Sequence, residues 1–338
     1  GTLTAARQNE TLSLSPYFTP GGYGDGEAIS LIYQPLVMLD PTGATQDIVP
    51  GVAESWEVSE DGLTYTFHLR AGNVFSNGDP VTAADVKFSL DTWSDPEQNA
   101  FADFAAGYRD VTIVDDATIQ VNLSEPRGAF LYSLAMVTAS ILPEALVTEQ
   151  GDAFFENPIG SGPFVLDEWN KGSSISFARN ENYWEAGYPL LDGVVWNFVT
   201  DDNARVLQLK SGDAQQIDSI PWSEVAGLVD AEGIVVDSLE IPSWVLMSLN
   251  HKKPQFQDRN VRQALSMAID RELVNERIYS GLGTLPNSIL PALRYDAPAD
   301  ALAPTPFDLA AAQQLIAESG FADGFDVRIE YPASSAAF

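Results

Sequence analysis

The sequence predicts a mixed α/β chain of about two domains, on three observations. Short apolar and aromatic runs alternate with amphipathic stretches. The 338 residues are 45% hydrophobic and 19% charged, which suits a chain that buries a large core and not a disordered one. No internal repeat or low-complexity linker interrupts the pattern.

The elements follow in order. Residues 64–70 alternate strictly, are rich in β-branched and aromatic side chains, and predict a half-buried strand entered through an Asp61-Gly62 turn. Residues 82–90 predict a helix with Thr82 as N-cap and Asp85 three residues on. Residues 111–123, broken at Asp115-Asp116, predict a hairpin. Residues 194–199 predict a buried strand, and 202–210 a helix with Ala204, Leu207 and Leu209 on or near its apolar face. Residues 244–249 predict another strand. In 258–270, Val261, Ala264, Leu265, Ala268 and Ile269 fall at helical spacing. Residues 309–319 predict a helix closed by Gly320, and 326–331 a strand. The final stretch, 333–338, looks like the start of a further helix, so the last unit reads as unfinished.

Charge excludes several partners. With 48 acidic and 17 basic side chains the net charge is −31, which repels phosphate backbones and anionic lipid heads. Nucleic acid and acidic membrane surfaces are therefore poor partners. There is no cysteine, so disulfides and thiolate chemistry are excluded. No apolar run approaches the roughly 18 residues of a membrane helix. Residues 1–7 carry no basic-then-apolar leader, which leaves either a cytoplasmic chain or one whose leader has been removed.

Catalytic constellations are sparse. The two histidines, His68 and His251, lie in no metal-ligand motif such as H-E-x-x-H. Gly160-Ser161-Gly162-Pro163 fails as a phosphate loop, because Pro163 removes a backbone donor and a strand follows. Ser161 also lacks the glycine that a nucleophile elbow needs. Glu27 stands where the third glycine of a dinucleotide fingerprint would be. The expectation is a protein that is not an enzyme and carries no cofactor and no metal.

Four blocks carry a resemblance. They are Tyr33-Gln34-Pro35-Leu36-Val37; Ala53-Glu54-Ser55-Trp56 through Arg70 and on from Phe75-Ser76-Asn77-Gly78 to Val86; Pro158-Ile159-Gly160-Ser161-Gly162-Pro163-Phe164 with Arg179-Asn180-Glu181-Asn182-Tyr183-Trp184; and Leu249-Asn250 followed by 258–270. In order and spacing they resemble the family 5 extracellular solute-binding proteins, the dipeptide-, oligopeptide- and nickel-binding components of ABC transporters. The resemblance implies a two-lobe, type II periplasmic-binding-protein fold (cluster C). It implies lobe I over 1–249 with an inserted subdomain at about 44–156, and an incomplete lobe II over 250–338. It further implies a monomer that captures a small solute by hinge closure and hands it to a membrane permease. A di- or oligopeptide is the expected solute. A nickel chelate, an oligosaccharide, a chemosensory role and a secreted hydrolase are the alternatives. The segment Met136-Val137-Thr138-Ala139-Ser140 lacks the base that some nickel-chelate binders carry there. The implied location is periplasmic or extracellular after leader removal, with a lipid anchor as one option.

The resemblance also points to contact residues, each with a packing alternative. Tyr17, Phe18 and Tyr23 lie in a Gly/Pro-rich loop after the first strand, and Gly22 and Tyr23 are placed in the cleft, with the Gly21-Gly22 backbone able to pair with an extended ligand. Phe101 follows the Asp95-Pro96 turn at a place where relatives present an aromatic. Trp222, Ser243 and Trp244 complete the predicted binding set.

Overall fold

A computed structural model describes residues 1–43, 45–237, 245–285 and 305–330. By internal contacts the chain divides into two compact units, Gly1–Ser219 and Ile220–Phe338.

In the first unit, β1 (Thr2–Arg7) buries Ala5 and Ala6 completely. α1 (Tyr23–Ile32) follows, then β2 (Val37–Leu39) paired with β3 (Ile48–Pro50). β4 (Ala53–Val58) and β5 (Thr64–Leu69) form a hairpin, and Gly62 supplies the left-handed φ of 68° that its turn needs. β5 alternates as its sequence predicts, with Tyr65, Phe67 and Leu69 buried. α2 (Ala83–Ser94) starts on a complete capping box. Asp85 N donates to the Thr82 hydroxyl, and the Asp85 carboxylate accepts from Thr82 N. The other carboxylate oxygen of Asp85 accepts from Glu144 N at 2.9 Å, so one side chain starts two helices. β6 (Tyr108–Asp115) and β7 (Thr118–Leu123) make the predicted hairpin and complete a sheet of order β4-β5-β7-β6. α3 (Phe130–Leu134) and α4 (Glu144–Gln150) follow. Phe67, Leu90, Trp93, Val121 and Phe130 meet in this sheet's core.

A second sheet has the order β11-β1-β10-β9-β8. β8 (Phe164–Asn170), β9 (Ser174–Arg179) and β10 (Gly193–Phe198) run antiparallel in turn, while β1 is parallel to both β10 and β11 (Gln216–Ile217). α5 (Asp202–Ser211) connects β10 to β11. The core under this sheet joins Leu14, Ile29, Tyr33, Phe177 and Trp196.

The regular elements of the second unit among the described residues are helices: α6 (Val225–Val229), α7 (Pro254–Gln257), α8 (Arg259–Met267), α9 (Arg271–Ile278) and α10 (Leu309–Ala317). α8 packs against α10 around Val261, Ala264 and Ala312.

Five expectations are corrected. Tyr23 is not in the loop but is the first residue of α1, because Asp25 fastens the preceding loop and lets the helix start early. On α5 the buried residues are Arg205 and Val206, while Leu207 is 67% exposed; polar backbone beneath the helix draws the arginine inward. The 258–270 helix breaks after Met267 and restarts at Arg271, since Asp270 caps α9 and leaves Ala268 exposed. α10 ends on Glu318, and Gly320 instead donates its amide to Asp258. Residues 245–249 and 326–330 form no strand, for no ladder partner lies beside them among the described residues; Val245 and Ile329 are exposed. Trp244 and Tyr331, the remaining ends of those two predicted strands, lie outside the described residues.

One buried carboxylate organises the long loop between β1 and α1. Asp25 is fully buried, and its oxygens accept from Leu12 N at 2.6 Å, Ser13 N at 3.0 Å and Gly21 N at 2.6 Å. Its place in the first turn of α1 also sets negative charge against the positive end of the helix dipole. Gly21 is required, because a Cβ there would lie 2.5 Å from Asp25 Oδ1. The far end of α1 meets residues 160–162. Gly162 N donates to Ile32 O at 2.8 Å. A Cβ at Gly160 or Gly162 would sit 2.1 or 2.5 Å from the Ile32 backbone. The Gly160-Ser161-Gly162 sequence is thus a close-approach device for a helix end.

Replacing Asp25 by Ala should cost about 3 kcal/mol in urea denaturation, since three buried amides lose a charged acceptor. A loss below about 1 kcal/mol would show that these bonds do not hold the loop. Stability should also fall at high pH. Burial pushes the Tyr183 hydroxyl up from 10.0 to about 12, and burial raises Tyr17 and Tyr33 in the same direction. The folded state keeps protons that the unfolded chain releases, so stability is complete below pH 10 and declines towards pH 12. Tyr183→Phe should flatten that decline in a pH series of urea midpoints; an unchanged slope would count against it.

Candidate functional site

Three adjacent parallel strands end together in the first unit. β1 stops at Arg7 and feeds the loop 8–22, β10 stops at Phe198 and feeds α5, and β11 stops at Ile217. Open α/β sheets bind ligands beyond the carboxyl ends of parallel strands, where the loops diverge.

The strand ends are held by charge. Arg7 pairs with Glu27 of α1, and its Nε lies 3.0 Å from Asp218. Its guanidinium stands 4.7 Å from the Trp196 ring centroid, with the side chain only 12% exposed. Asp218 also accepts from Gln8 N at 2.8 Å. Arg205 is completely buried and donates to Val199 O at 2.7 Å, Thr200 O at 3.1 Å and Ser219 O at 2.9 Å, besides pairing with Asp202. Both arginines are committed to partners inside the unit. They fix the strand ends and the loops that leave them.

The loop 8–22 divides its aromatics. Tyr17 is buried edge-on against Phe155 at 6.1 Å, whereas Phe18 is 60% exposed. Gly22 is exposed, holds φ 60° and caps α1; Tyr23 beside it is 83% exposed. The amides of Gly21 and Gly22 are already engaged by Asp25 and by Thr19 O. Phe101 is half-buried and stacks with Phe104 at 6.4 Å. Its loop is tied to 8–22, for Ala100 N donates to Tyr17 O at 3.1 Å. Gly22 at the end of one loop, Tyr23 at the start of α1 and Phe101 on a second, connected loop thus belong to one unit. Trp222 belongs to the second unit, 46% exposed and edge-on to Tyr279 at 5.6 Å. Ser243 and Trp244 lie outside the described residues.

Sequence reasoning missed Arg7, Asp25, Glu27, Arg205 and Asp218. The available signal was scarcity. In a chain with 17 basic side chains, an arginine at a strand end or within a helix core must find acidic or carbonyl partners. Among the described residues no group of three His, Cys, Asp or Glu could hold a metal ion, and no helix is long and apolar enough to cross a membrane.

Comparison with known proteins accords with this arrangement. The model for bacterial extracellular solute-binding proteins, family 5 Middle, matches residues 47–337. The glutathione-binding protein GsiB of Salmonella choleraesuis (strain SC-B67) is 33% identical over 324 residues, covering 94% of this chain. The chain spans 61% of that relative's length. Among solved structures, the ABC transporter-associated periplasmic binding protein DppA from Helicobacter pylori, in complex with peptide STSA, is 28% identical. It matches with a TM-score of 0.82 over 96% of this chain and 67% of its own. The oligopeptide-binding protein AppA from Bacillus subtilis, in complex with a nonapeptide, is 26% identical, with a TM-score of 0.83 over 94% of this chain and 64% of its own. These structures have the mixed α/β, type II periplasmic-binding-protein fold expected from the four sequence blocks. The family model covers most of the chain, and the chain belongs to the bacterial extracellular solute-binding proteins, family 5.

Proposed function

We propose that the protein captures a short peptide outside the cytoplasm and delivers it to an ABC uptake permease without making or breaking its bonds. The observation that carries this reading is the likeness, across nearly the whole chain, to solved binding proteins that hold peptides. Lobe I is assigned to 1–249 with an inserted subdomain at about 44–156, and lobe II begins at 250. The solute bridges the lobes and shifts an open–closed equilibrium by its greater affinity for the closed form.

The contacts of lobe I fall to Gly22, Tyr23 and Phe101, with Trp222, Ser243 and Trp244 nearer the crossover. Tyr23 presents a flat, amphipathic ring at low entropic cost, and Gly22 leaves room for a backbone to approach it. The amides of Gly21 and Gly22 are occupied, so ring faces and carbonyls do more of the work than strand addition does. The monomeric protein works in the periplasm or at the cell surface, where its acidic exterior disfavours nucleic acid.

Mass spectrometry of solute co-purifying with the full-length protein should reveal a mixture of short peptides. A single sugar or metal chelate would overturn the assignment. With a peptide so identified, Tyr23→Ala should raise Kd about tenfold and leave the melting temperature unchanged, because the ring is exposed. An unaltered Kd would remove Tyr23 from the site.

A further inference from the structure

The Asn77-Gly78 pair carries chemistry that solute capture does not use. In the whole sequence Asn77 alone among asparagines is followed by glycine. An asparagine amide is thermolabile, and most so before glycine, where no Cβ shields the following amide nitrogen from the side-chain carbonyl. Both residues are exposed, so base and water reach them. Yet the turn keeps the reacting groups engaged. Gly78 N donates to Phe75 O at 2.8 Å, and Phe75 N closes the turn by donating to Asp79 O at 2.8 Å. The Asn77 side chain is held at both of its polar atoms: Oδ1 accepts from Asp79 N at 3.0 Å, and Nδ2 donates to Asp79 Oδ2 at 2.6 Å. The turn is latched to a distant part of the same unit. Ser76 N donates to Gly160 O at 2.8 Å, and Asn182 Nδ2 donates to Ser76 O at 3.0 Å.

We propose that Asn77 is a guarded deamidation site, with Asp79 as its guard, and that its one-way conversion unlatches this turn from Gly160. Gly78 N loses its proton to a solvent base and bonds to Asn77 Cγ. The Cγ–Nδ2 bond breaks, and the nitrogen leaves as ammonia with a proton from water. Water then opens the succinimide at either carbonyl, giving an aspartyl or an isoaspartyl residue. In sum one amide and one water become one acid and one ammonia, with no change of oxidation state. The reaction waits for the turn to open, because the Gly78 amide must leave Phe75 O and the side chain must leave Asp79. Conversion removes the Nδ2 donor and sets a second carboxylate beside Asp79, in a chain already at −31. The isoaspartyl form also adds a carbon to the main chain of a turn closed by the Phe75–Asp79 bond. Either product loosens the turn that ties Ser76 to Gly160.

Peptide mapping by mass spectrometry measures the conversion in full-length protein held at mildly alkaline pH, beside a synthetic peptide of residues 73–82. The intact protein should convert at least about tenfold more slowly than the peptide. Asp79→Ala, which removes the acceptor of Nδ2, should restore most of the peptide's rate. Asp79→Asn keeps the shape but exchanges a charged acceptor for a neutral one, so its rate should fall between those of Asp79→Ala and the unaltered protein. Equal rates in protein and peptide would show that nothing guards Asn77 and would overturn the proposal. If neither variant converts faster than the unaltered protein, Asp79 is no guard and the proposal also fails. Asn77→Asp stands in for the aspartyl product and should lower hydrogen-exchange protection of residues 74–78 about tenfold. Undiminished protection there would refute the unlatching.

Discussion

A buried carboxylate with no ion-pair partner among the described residues, Asp25, is the constraint from which the first unit's exposed aromatic surface follows. Burying a charge is costly unless hydrogen bonds replace its hydration. Here three backbone amides from two ends of one loop do so. The same bonds start α1, fold the loop over β1 and leave Phe18 and Tyr23 facing outward. Apolar packing could not have done this alone, since the loop's large buried side chains, Leu14 and Tyr17, fix only its middle.

The arginines at the strand ends play a complementary part. Arg7 and Arg205 each consolidate loops that leave different strands, one mainly through carboxylates and the other mainly through carbonyls. In a chain of net charge −31 such inward cations relieve a local excess of negative charge as well as fixing geometry. The result separates duties: polar groups inside hold the scaffold, and ring faces outside remain available.

Much of this was legible in the sequence wherever short-range rules suffice. The β5 alternation, the Thr82–Asp85 cap and the β6–β7 hairpin depend on neighbours a few residues apart, and each formed as read. Family resemblance supplied the architecture that periodicity could not. The failures share a cause. Apolar runs at 245–249 and 326–330 signal burial but do not name a ladder partner. Leu207 looked inward because hydrophobicity was assumed to choose the helix face, whereas carbonyls at 199–200 and 218–219 chose Arg205. The role of Asp25 was hidden because its partners Leu12 and Ser13 precede it by a dozen residues of irregular chain.

The tight passage of residues 160–162 beneath the end of α1 has an evolutionary consequence. That helix is gripped at one end by a carboxylate and at the other by glycines that tolerate no side chain. Its outward-facing tip, by contrast, is almost unconstrained by packing. Substitutions can therefore accumulate at the exposed Phe18 and Tyr23 while the frame that presents them stays the same, so change of this surface across descendants of this chain need not pass through unstable intermediates.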